Sequence, residues 1–349
     1  MRRSSGLITM LVVAVTLFIA PAVARATLVF TRNPLHPVVF AANEDGSAAH
    51  RIGSGSNPRV SPDGQTAAFY RLGDSSRSSE LLVASTAGGP VKKLASGWQD
   101  PFVFAWSPDS TTIAVLLGPE LGKQRLTTID VASGEQHTIA SGYFGGVSFA
   151  PEGGALVYAR SNKEFGTNSD VYRFVIPEPG TVFVRAPQPE RLTSDHRSSS
   201  PLWGPSGTIV FVKHLGEKQR RYGPKNDLFL MDSGGDHVRR LTNTKVGALL
   251  TGLSPTEWSA NGKHLLAEFG GQDTSYAVTV NPKTGAERAL TREREVGFVG
   301  AAISKNGKSV LGSLGGFEPG PGHEVVSIPY KGGRAKVLAK NASEPDWSR

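Results

Sequence analysis

The sequence predicts an all-β protein made of similar units of about 45 residues, and two observations carry this prediction. The 349 residues include 41 Gly and 23 Pro and few long apolar stretches, a composition typical of many short strands joined by tight turns. A short block, in which an aromatic or aliphatic residue precedes a Ser-Pro-Asp-Gly type turn, recurs along the chain. Together they favour stacked antiparallel strands over a helical repeat.

The first 26 residues have the features of a secretory signal. Arg2 and Arg3 precede an apolar stretch over residues 7–20, and small residues follow it. We expect cleavage after Ala24 or after Ala26, which would place the mature protein in the periplasm or outside the cell. An uncleaved N-terminal anchor is the alternative. No later segment is long and apolar enough to span a bilayer.

Composition also limits the possible chemistry. The chain has no cysteine, which excludes disulfides, thiolate metal sites and a cysteine nucleophile. Loss of residues 1–26 removes Arg2, Arg3 and Arg25 and leaves a formal net charge of +5, three below the +8 of the whole chain. A charge of this size favours acidic partners but does not indicate nucleic acid.

The recurring block gives the period of the architecture. Its first residues are Val60, Trp106, Phe149, Trp203, Trp258, Ile303 and Trp347, separated by 43 to 55 residues. Each complete copy is followed by an apolar strand, a third strand and a fourth strand with a basic-apolar pattern, as in residues 92–94. This spacing is expected of the four-stranded blades of a β-propeller.

The two ends of the chain complement each other. Residues 27–54 supply only the last three strands of a unit, and residues 346–349 supply the missing first strand. We therefore predict one propeller domain over residues 27–349, with seven blades, closed by N- and C-terminal strands that share a blade; six blades are the alternative. We expect Trp106, Trp203, Trp258 and Trp347 to fill the space between blades rather than to stack on a ligand.

The repeats resemble the WD-like propeller repeats of the TolB family, which also form the propellers of dipeptidyl and prolyl peptidases. The clearest copies are residues 106–109, preceded by Gln99-Asp100-Pro101, and Arg191-Leu192-Thr193, which leads through Asp195 to Pro201 and Trp203. The resemblance covers residues 26–349 and implies a fold that serves many functions. The chain departs from TolB, which has an N-terminal α/β domain and six blades, and it lacks the Gly-x-Ser-x-Gly elbow of a hydrolase domain.

In propellers of this kind, loops between the second and third strands and links between blades gather on one face around the channel. Residues 217–225 form the strongest charge cluster and would suit an acidic glycan, a phosphate or a carboxylate, although a solvated loop is the simpler interpretation. The candidate binding residues on this face are Trp98, Asp100, Tyr143, Phe144, His196, Arg197, Lys218, Arg220, Arg221, Tyr222, Lys225 and His323.

We assign no catalytic residue, metal ligand or cofactor. The histidines lack a close metal-binding spacing, and only convergence of His196, His214 and His323 through the fold would supply one. The sequence thus favours an exported, monomeric, non-catalytic scaffold that presents its loop face to a protein or cell-envelope polymer, possibly acidic. The alternative is a propeller hydrolase or lyase that acts on an acidic polysaccharide or peptide at the channel mouth.

Overall fold

The computed structural model describes residues 27–33, 35–73, 78–98, 104–118, 123–161, 163, 168–177, 187–216, 225–247, 250–271, 275–290, 297–315 and 322–348. The predicted signal, residues 1–26, lies outside the described residues. Every regular element within these ranges is a β-strand, and none of the described segments is a helix that could cross a membrane. The all-β prediction is confirmed.

The described strands pair into seven antiparallel units of four strands, numbered here along the chain. The strands of unit 1 that open the chain are β1 (Thr27–Arg32), β2 (Val38–Asn43) and β3 (His50–Ser54). Those of units 2 and 3 are β4 (Ser56–Val60), β5 (Thr66–Leu72), β6 (Ser79–Ser85), β7 (Lys92–Trp98), β8 (Phe104–Trp106), β9 (Thr112–Leu117), β10 (Gln124–Asp130) and β11 (Gln136–Phe149).

The second half of β11 is also the first strand of unit 4. The other strands of units 4 and 5 are β12 (Ala155–Ser161), β13 (Ser169–Val175), β14 (Glu190–Arg191), β15 (Ser198–Trp203), β16 (Ile209–Leu215), β17 (Lys225–Met231) and β18 (Arg239–Arg240). Units 6 and 7 contain β19 (Leu250–Trp258), β20 (Leu265–Gly271), β21 (Ser275–Val280), β22 (Glu287–Ala289), β23 (Val299–Ile303), β24 (Ser309–Leu314), β25 (Glu324–Pro329) and β26 (Lys336–Lys340). The last strand is β27 (Ala342–Trp347).

The two ends of the described chain close unit 1. Strand β27 pairs antiparallel with β1, and Leu28 lies opposite Trp347, which confirms the predicted sharing of one unit by the termini. First strands of neighbouring units contact each other around the molecule, and Trp106 Nε1 donates to the carbonyl of Arg59 at 3.1 Å between units 2 and 3. The strand pairing is that of a propeller, and its seven units support the predicted blade count, which stays a prediction.

The core lies between units. Each neighbouring pair of units shares a hydrophobic cluster of described residues. Trp203, Trp258 and Trp347 are buried in three of these clusters, and Trp106 packs against a fourth. The tryptophans therefore fill the wedges between units as predicted, because a large ring at this repeat position buries the apolar surface that diverging sheets leave open.

The Ser-Pro-Asp-Gly blocks form the turns between first and second strands. Ser61 Oγ donates to Asp63 Oδ1 at 2.6 Å and accepts from the backbone NH of Thr66 at 3.0 Å. Gly64 adopts a φ of 76°, a left-handed conformation that costs glycine little. Ser107 and Asp109 make the same contacts. These aspartates are thus structural, which agrees with leaving them out of the candidate sites.

The alternating strand direction separates two ends of the molecule. Turns between first and second strands, and between third and fourth strands, lie at one end, called the turn end. Loops between second and third strands, and links from one unit to the next, lie at the other, called the connector end. The candidate binding residues that the structure describes lie at or near the connector end.

Backbone irregularities mark the first strands near the connector end. Asn57, Ser200 and Glu344 have φ values of 51°, 47° and 52°. Each precedes a proline and lies within a register shift of its strand pair. A proline disfavours helical conformations in the residue before it, so these bulges are held by the surrounding structure.

Closure predicts a large effect of one side chain. Trp347→Ala should lower the free energy of unfolding by about 3–5 kcal/mol, because it leaves a cavity between units 7 and 1, and deletion of residues 343–349 should lower it further by exposing the edge of β1. Urea denaturation followed by circular dichroism measures both. Val337→Ala, at a side chain 42% exposed in unit 7, is the control; equal midpoints for all variants would contradict closure through β27.

Candidate functional site

The predicted binding residues divide into described and undescribed sets. Asp100, Lys218, Arg220, Arg221 and Tyr222 lie outside the described residues. Trp98 ends β7, with its backbone opposite Ser79. The remaining six are Tyr143, Phe144, His196, Arg197, Lys225 and His323, and the structure gives them different roles.

The sequence suggested that Tyr143 and Phe144 lie in a link between units. In the structure they lie within a strand. Strand β11 runs without a break from unit 3 into unit 4, because its first half pairs with β10 and its second half with β12. Phe144 is half-buried and contacts the edge of Tyr158, with ring centroids 5.8 Å apart. Tyr143 and Phe144 are both partly exposed near the connector end and, as successive residues of one strand, point to opposite faces of the sheet.

His196 supports a buried carboxylate. Asp170 is 3% exposed and lies on β13. Its oxygens accept from Arg191 Nη2 at 2.5 Å, from Thr193 Oγ1 at 3.2 Å and from the backbone NH of His196 at 3.0 Å, and His196 Nδ1 lies 2.9 Å from Oδ2. The Arg-Leu-Thr motif therefore ties the fourth strand and the following link to the third strand.

Lys225 belongs to a second cluster of this kind. It is the first residue of β17, and its Nζ lies 3.1 Å from Oδ2 of the fully buried Asp227. Arg240, Thr242 and the backbone NH of Thr244 also donate to that carboxylate. A buried carboxylate needs such partners. Lys225 thus helps to satisfy a buried carboxylate of the fold.

Arg197 is the exposed cation among the described candidates. Its backbone NH donates to Asp195 Oδ1 at 3.0 Å, and its carbonyl accepts from the backbone NH of His214 at 2.8 Å. Asp195 also accepts from Lys213 Nζ at 2.6 Å. Within the described ranges the Arg197 guanidinium has no ion pair, so its charge faces solvent.

Beside this link lies a hydrogen-bonded chain that the sequence did not reveal. His214 Nδ1 lies 2.7 Å from Asn226 Oδ1, and His214 Nε2 lies 2.9 Å from Ser199 Oγ. Because an amide oxygen only accepts, Nδ1 carries the proton, and Nε2 accepts from the Ser199 hydroxyl. Burial lowers the pKa of His214 below 6.5, against an opposing effect of Asn226. The ring is therefore neutral near neutral pH.

The histidines do not converge. His323 Nδ1 is buried without a hydrogen-bond partner, and its ring lies against Gly315, where a Cβ would come 2.7 Å from Cδ2. His196 contacts Asp170, and His214 contacts Ser199 and Asn226. Within the described part of the chain, no three His, Asp or Glu side chains form a group that could hold a metal ion.

The low pKa of His214 predicts a pH-dependent stability. The unfolded chain takes up a proton near pH 6.5, which the folded protein resists until a lower pH, so the folded state loses stability as pH falls below that value. The free energy of unfolding of wild type minus that of His214→Gln should therefore fall between about pH 7 and pH 5 and be constant above. Urea titrations at each pH measure it. A difference that does not change over this range would contradict a neutral His214.

A scan of the sequence against models of protein families gives no match, and a search of curated proteins gives none either. Solved structures do match. TolB from Acinetobacter baumannii is 18% identical with a TM-score of 0.57, over 90% of this chain and 79% of that one. The β-propeller domain of the Trilobed protease from Pyrococcus furiosus is 15% identical with a TM-score of 0.61, over 91% and 95% of the two chains.

An oligogalacturonate lyase, solved in complex with manganese, is 14% identical with a TM-score of 0.56, over 89% of this chain and 84% of that one. At such identities the likeness concerns the fold, which proteins of different activity share. It agrees with the closed array of four-stranded units and with the resemblance of the repeats. The chain is a TolB-like β-propeller in fold.

Proposed function

We propose that the chain is an exported scaffold, monomeric and non-catalytic, that binds an acidic protein or cell-envelope polymer through its connector end. The observation that carries this proposal is that, in units 4 and 5, two acidic side chains are buried and paired while a basic one is exposed. Asp170 and Asp227 are buried and satisfied by their neighbours, whereas Arg197 faces solvent. The charge left for a partner is positive, which favours acidic ligands.

Two further features support a binding role. The clusters around Asp170 and Asp227 fix the links that follow units 4 and 5, and a rigid surface loses little entropy when it binds. In the sequence, the segment that joins β16 to β17 contains Lys218, Arg220 and Arg221, so its charge has the same sign as that of Arg197. Export is part of the proposal and depends on the signal predicted in residues 1–26.

Removal of these cations tests the proposal. A variant with Arg197, Lys218, Arg220 and Arg221 replaced by Ser should bind poly-L-glutamate and purified envelope polymers at least tenfold more weakly than wild type, because four positive charges leave one surface. Biolayer interferometry at low and high salt measures the affinities.

The matched control removes the same charge from the turn end. Lys263, Lys283, Lys305 and Lys308 are exposed in turns there, and their replacement by Ser should leave the affinities nearly unchanged. Equal losses in both variants would show that only net charge matters and would overturn the assignment to the connector end. Absence of binding by the wild type would overturn the scaffold proposal.

The Ser199–His214–Asn226 chain favours a second candidate, a hydrolase. A neutral histidine that accepts from a serine hydroxyl and donates to an oriented amide has the arrangement of a nucleophile, a base and an orienting group. Ser199 is 9% exposed and lies on the first strand of unit 5. This chain is the part of the described structure on which acyl transfer would depend.

A fluorophosphonate probe distinguishes the two candidates. In a hydrolase, the Ser199 proton passes to His214 Nε2 while the Oγ–P bond forms and fluoride leaves, so Ser199 becomes labelled. Mass spectrometry of wild type, Ser199→Ala and the neighbouring control Ser200→Ala identifies the modified residue. Labelling lost only in Ser199→Ala would support the hydrolase, and absence of labelling in wild type supports the non-catalytic scaffold.

A further inference from the structure

One repeat position at the connector end carries a cation in four of the seven units. In each unit, one residue of the second strand pairs with the residue that begins the recurring block on the first strand, and the position lies four residues further along the second strand. In unit 1, Leu28 pairs with Trp347, and the position is Arg32. The register of the other units gives the equivalents. In order along the chain they are Arg32, Arg71, Leu117, Arg160, Lys213, Phe269 and Leu314.

In two units a carboxylate of the protein neutralises this cation. Arg71 Nη2 lies 2.6 Å from Glu80 Oε2, which belongs to the residue opposite it on the third strand. Lys213 Nζ lies 2.6 Å from Asp195 Oδ2. The position is therefore suited to pairing with a carboxylate.

In unit 4 the corresponding carboxylate is already occupied. Asp170 lies opposite Arg160 on the third strand, as Glu80 lies opposite Arg71. Its oxygens are taken by Arg191, Thr193 and His196. In the described part of the chain Arg160 forms no ion pair, and its Nε is buried without a hydrogen-bond partner.

The surroundings of Arg160 shield it from water on several sides. Phe144 faces it on β11, and Tyr158, which is fully buried, precedes it by two residues on the same face of β12. Beside it on β11 is Gly142, where a Cβ would lie 2.8 Å from Arg160 Nε, so the Arg160 side chain packs closely against this glycine. An unpaired buried N–H of a cation is costly, and an anion that accepts from it removes that cost.

We propose that Arg160 binds a carboxylate group of a ligand at the junction of units 3 and 4. The ligand carboxylate supplies the counter-charge that Glu80 supplies to Arg71 and that Asp195 supplies to Lys213. A guanidinium presents parallel N–H groups that match the two oxygens of a carboxylate, and the partly exposed ring of Phe144, on the same face of the sheet, contacts the apolar part of the same ligand. The kind of macromolecule that carries this carboxylate rests on the proposed function. The carboxylate site itself does not depend on it.

Arg32 shows why Arg160 is the stronger candidate. Its Nε is also buried without a partner. Its guanidinium carbon, however, lies 5.1 Å and 4.9 Å from the ring centroids of Phe30 and Phe40, so two aromatic faces partly compensate its charge. No cation–π contact of this kind involves Arg160 within the described ranges.

Nuclear magnetic resonance of the arginine Nε–H groups tests the site directly. Addition of acetate to the full chain should shift the Arg160 signal with a saturating dose dependence, because the buried N–H gains an acceptor, and should leave the paired Arg71 signal nearly unchanged. Sulfate and inorganic phosphate are the comparison ions, and a phosphate-type site would respond to them at lower concentration than to acetate. A flat or equal response of both arginines to acetate would overturn the proposal.

Affinity for poly-L-glutamate gives a second measure. Arg160→Gln should weaken this affinity about tenfold, which is the effect of one lost charge-assisted hydrogen-bonded contact. The affinity of Arg160→Lys should lie between those of wild type and Arg160→Gln, because an ammonium keeps the charge but not the paired geometry. The matched control Arg71→Gln should retain wild-type affinity, and melting temperatures verify that each variant folds. Equal affinities for Arg160→Gln and wild type would overturn the proposal.

The two proposals fail in different ways. If wild type binds no polymer but acetate still shifts Arg160 selectively, the scaffold function is wrong and the carboxylate site remains. If polymer binding depends on the Arg197 cluster but neither acetate nor Arg160→Gln has an effect, the site is wrong and the scaffold function remains.

Discussion

The pairing of β27 with β1 is the constraint on which the rest of the structure depends. It supplies unit 1 with its first strand, and that strand also contacts the first strands of units 7 and 2. Asp346 on β27 accepts from the backbone NH of Val60 in unit 2 at 2.9 Å. The equivalent residue of unit 6, Glu257, accepts from the backbone NH of Ile303 in unit 7 at 2.6 Å. Closure thus uses the same contacts as internal interfaces, and the backbone edge of β1 is paired.

Repetition lets one position serve different purposes in different units. Glu80, Asp170 and Asp227 lie opposite the cation of the second strand in units 2, 4 and 5. In unit 2 the acid pairs with that cation, whereas in units 4 and 5 the acid pairs instead with the arginine that ends the fourth strand and with the threonine two residues later. The Arg-Leu-Thr motif therefore secures the fold and at the same time releases a cation for another partner.

The sequence was sufficient for features that depend on local patterns. The Ser-Pro-Asp-Gly turns, the buried tryptophans and the complementary ends all follow from residue types at fixed spacing. Features that depend on register between strands could not be found in this way. Ser199 and His214 approach because β15 and β16 pair with a bulge, and Lys225 is held by Asp227, two residues further along β17. Alignment of the second strands of all units was the one signal that could have singled out Arg160.

The uninterrupted course of β11 has a mechanical consequence. Strand β11 joins units 3 and 4 without a loop, because its first half pairs with β10 and its second half with β12, whereas units 4 and 5 belong to separate sheets that meet through contacts such as that of Ser148 Oγ, which accepts from the backbone NH of Trp203. Breathing of the ring is easier where only side chains must part than where a strand must bend. A relative motion of units 3 and 4 would have to bend β11 at residues 142–143, beside Arg160, whereas no described strand is shared by units 4 and 5.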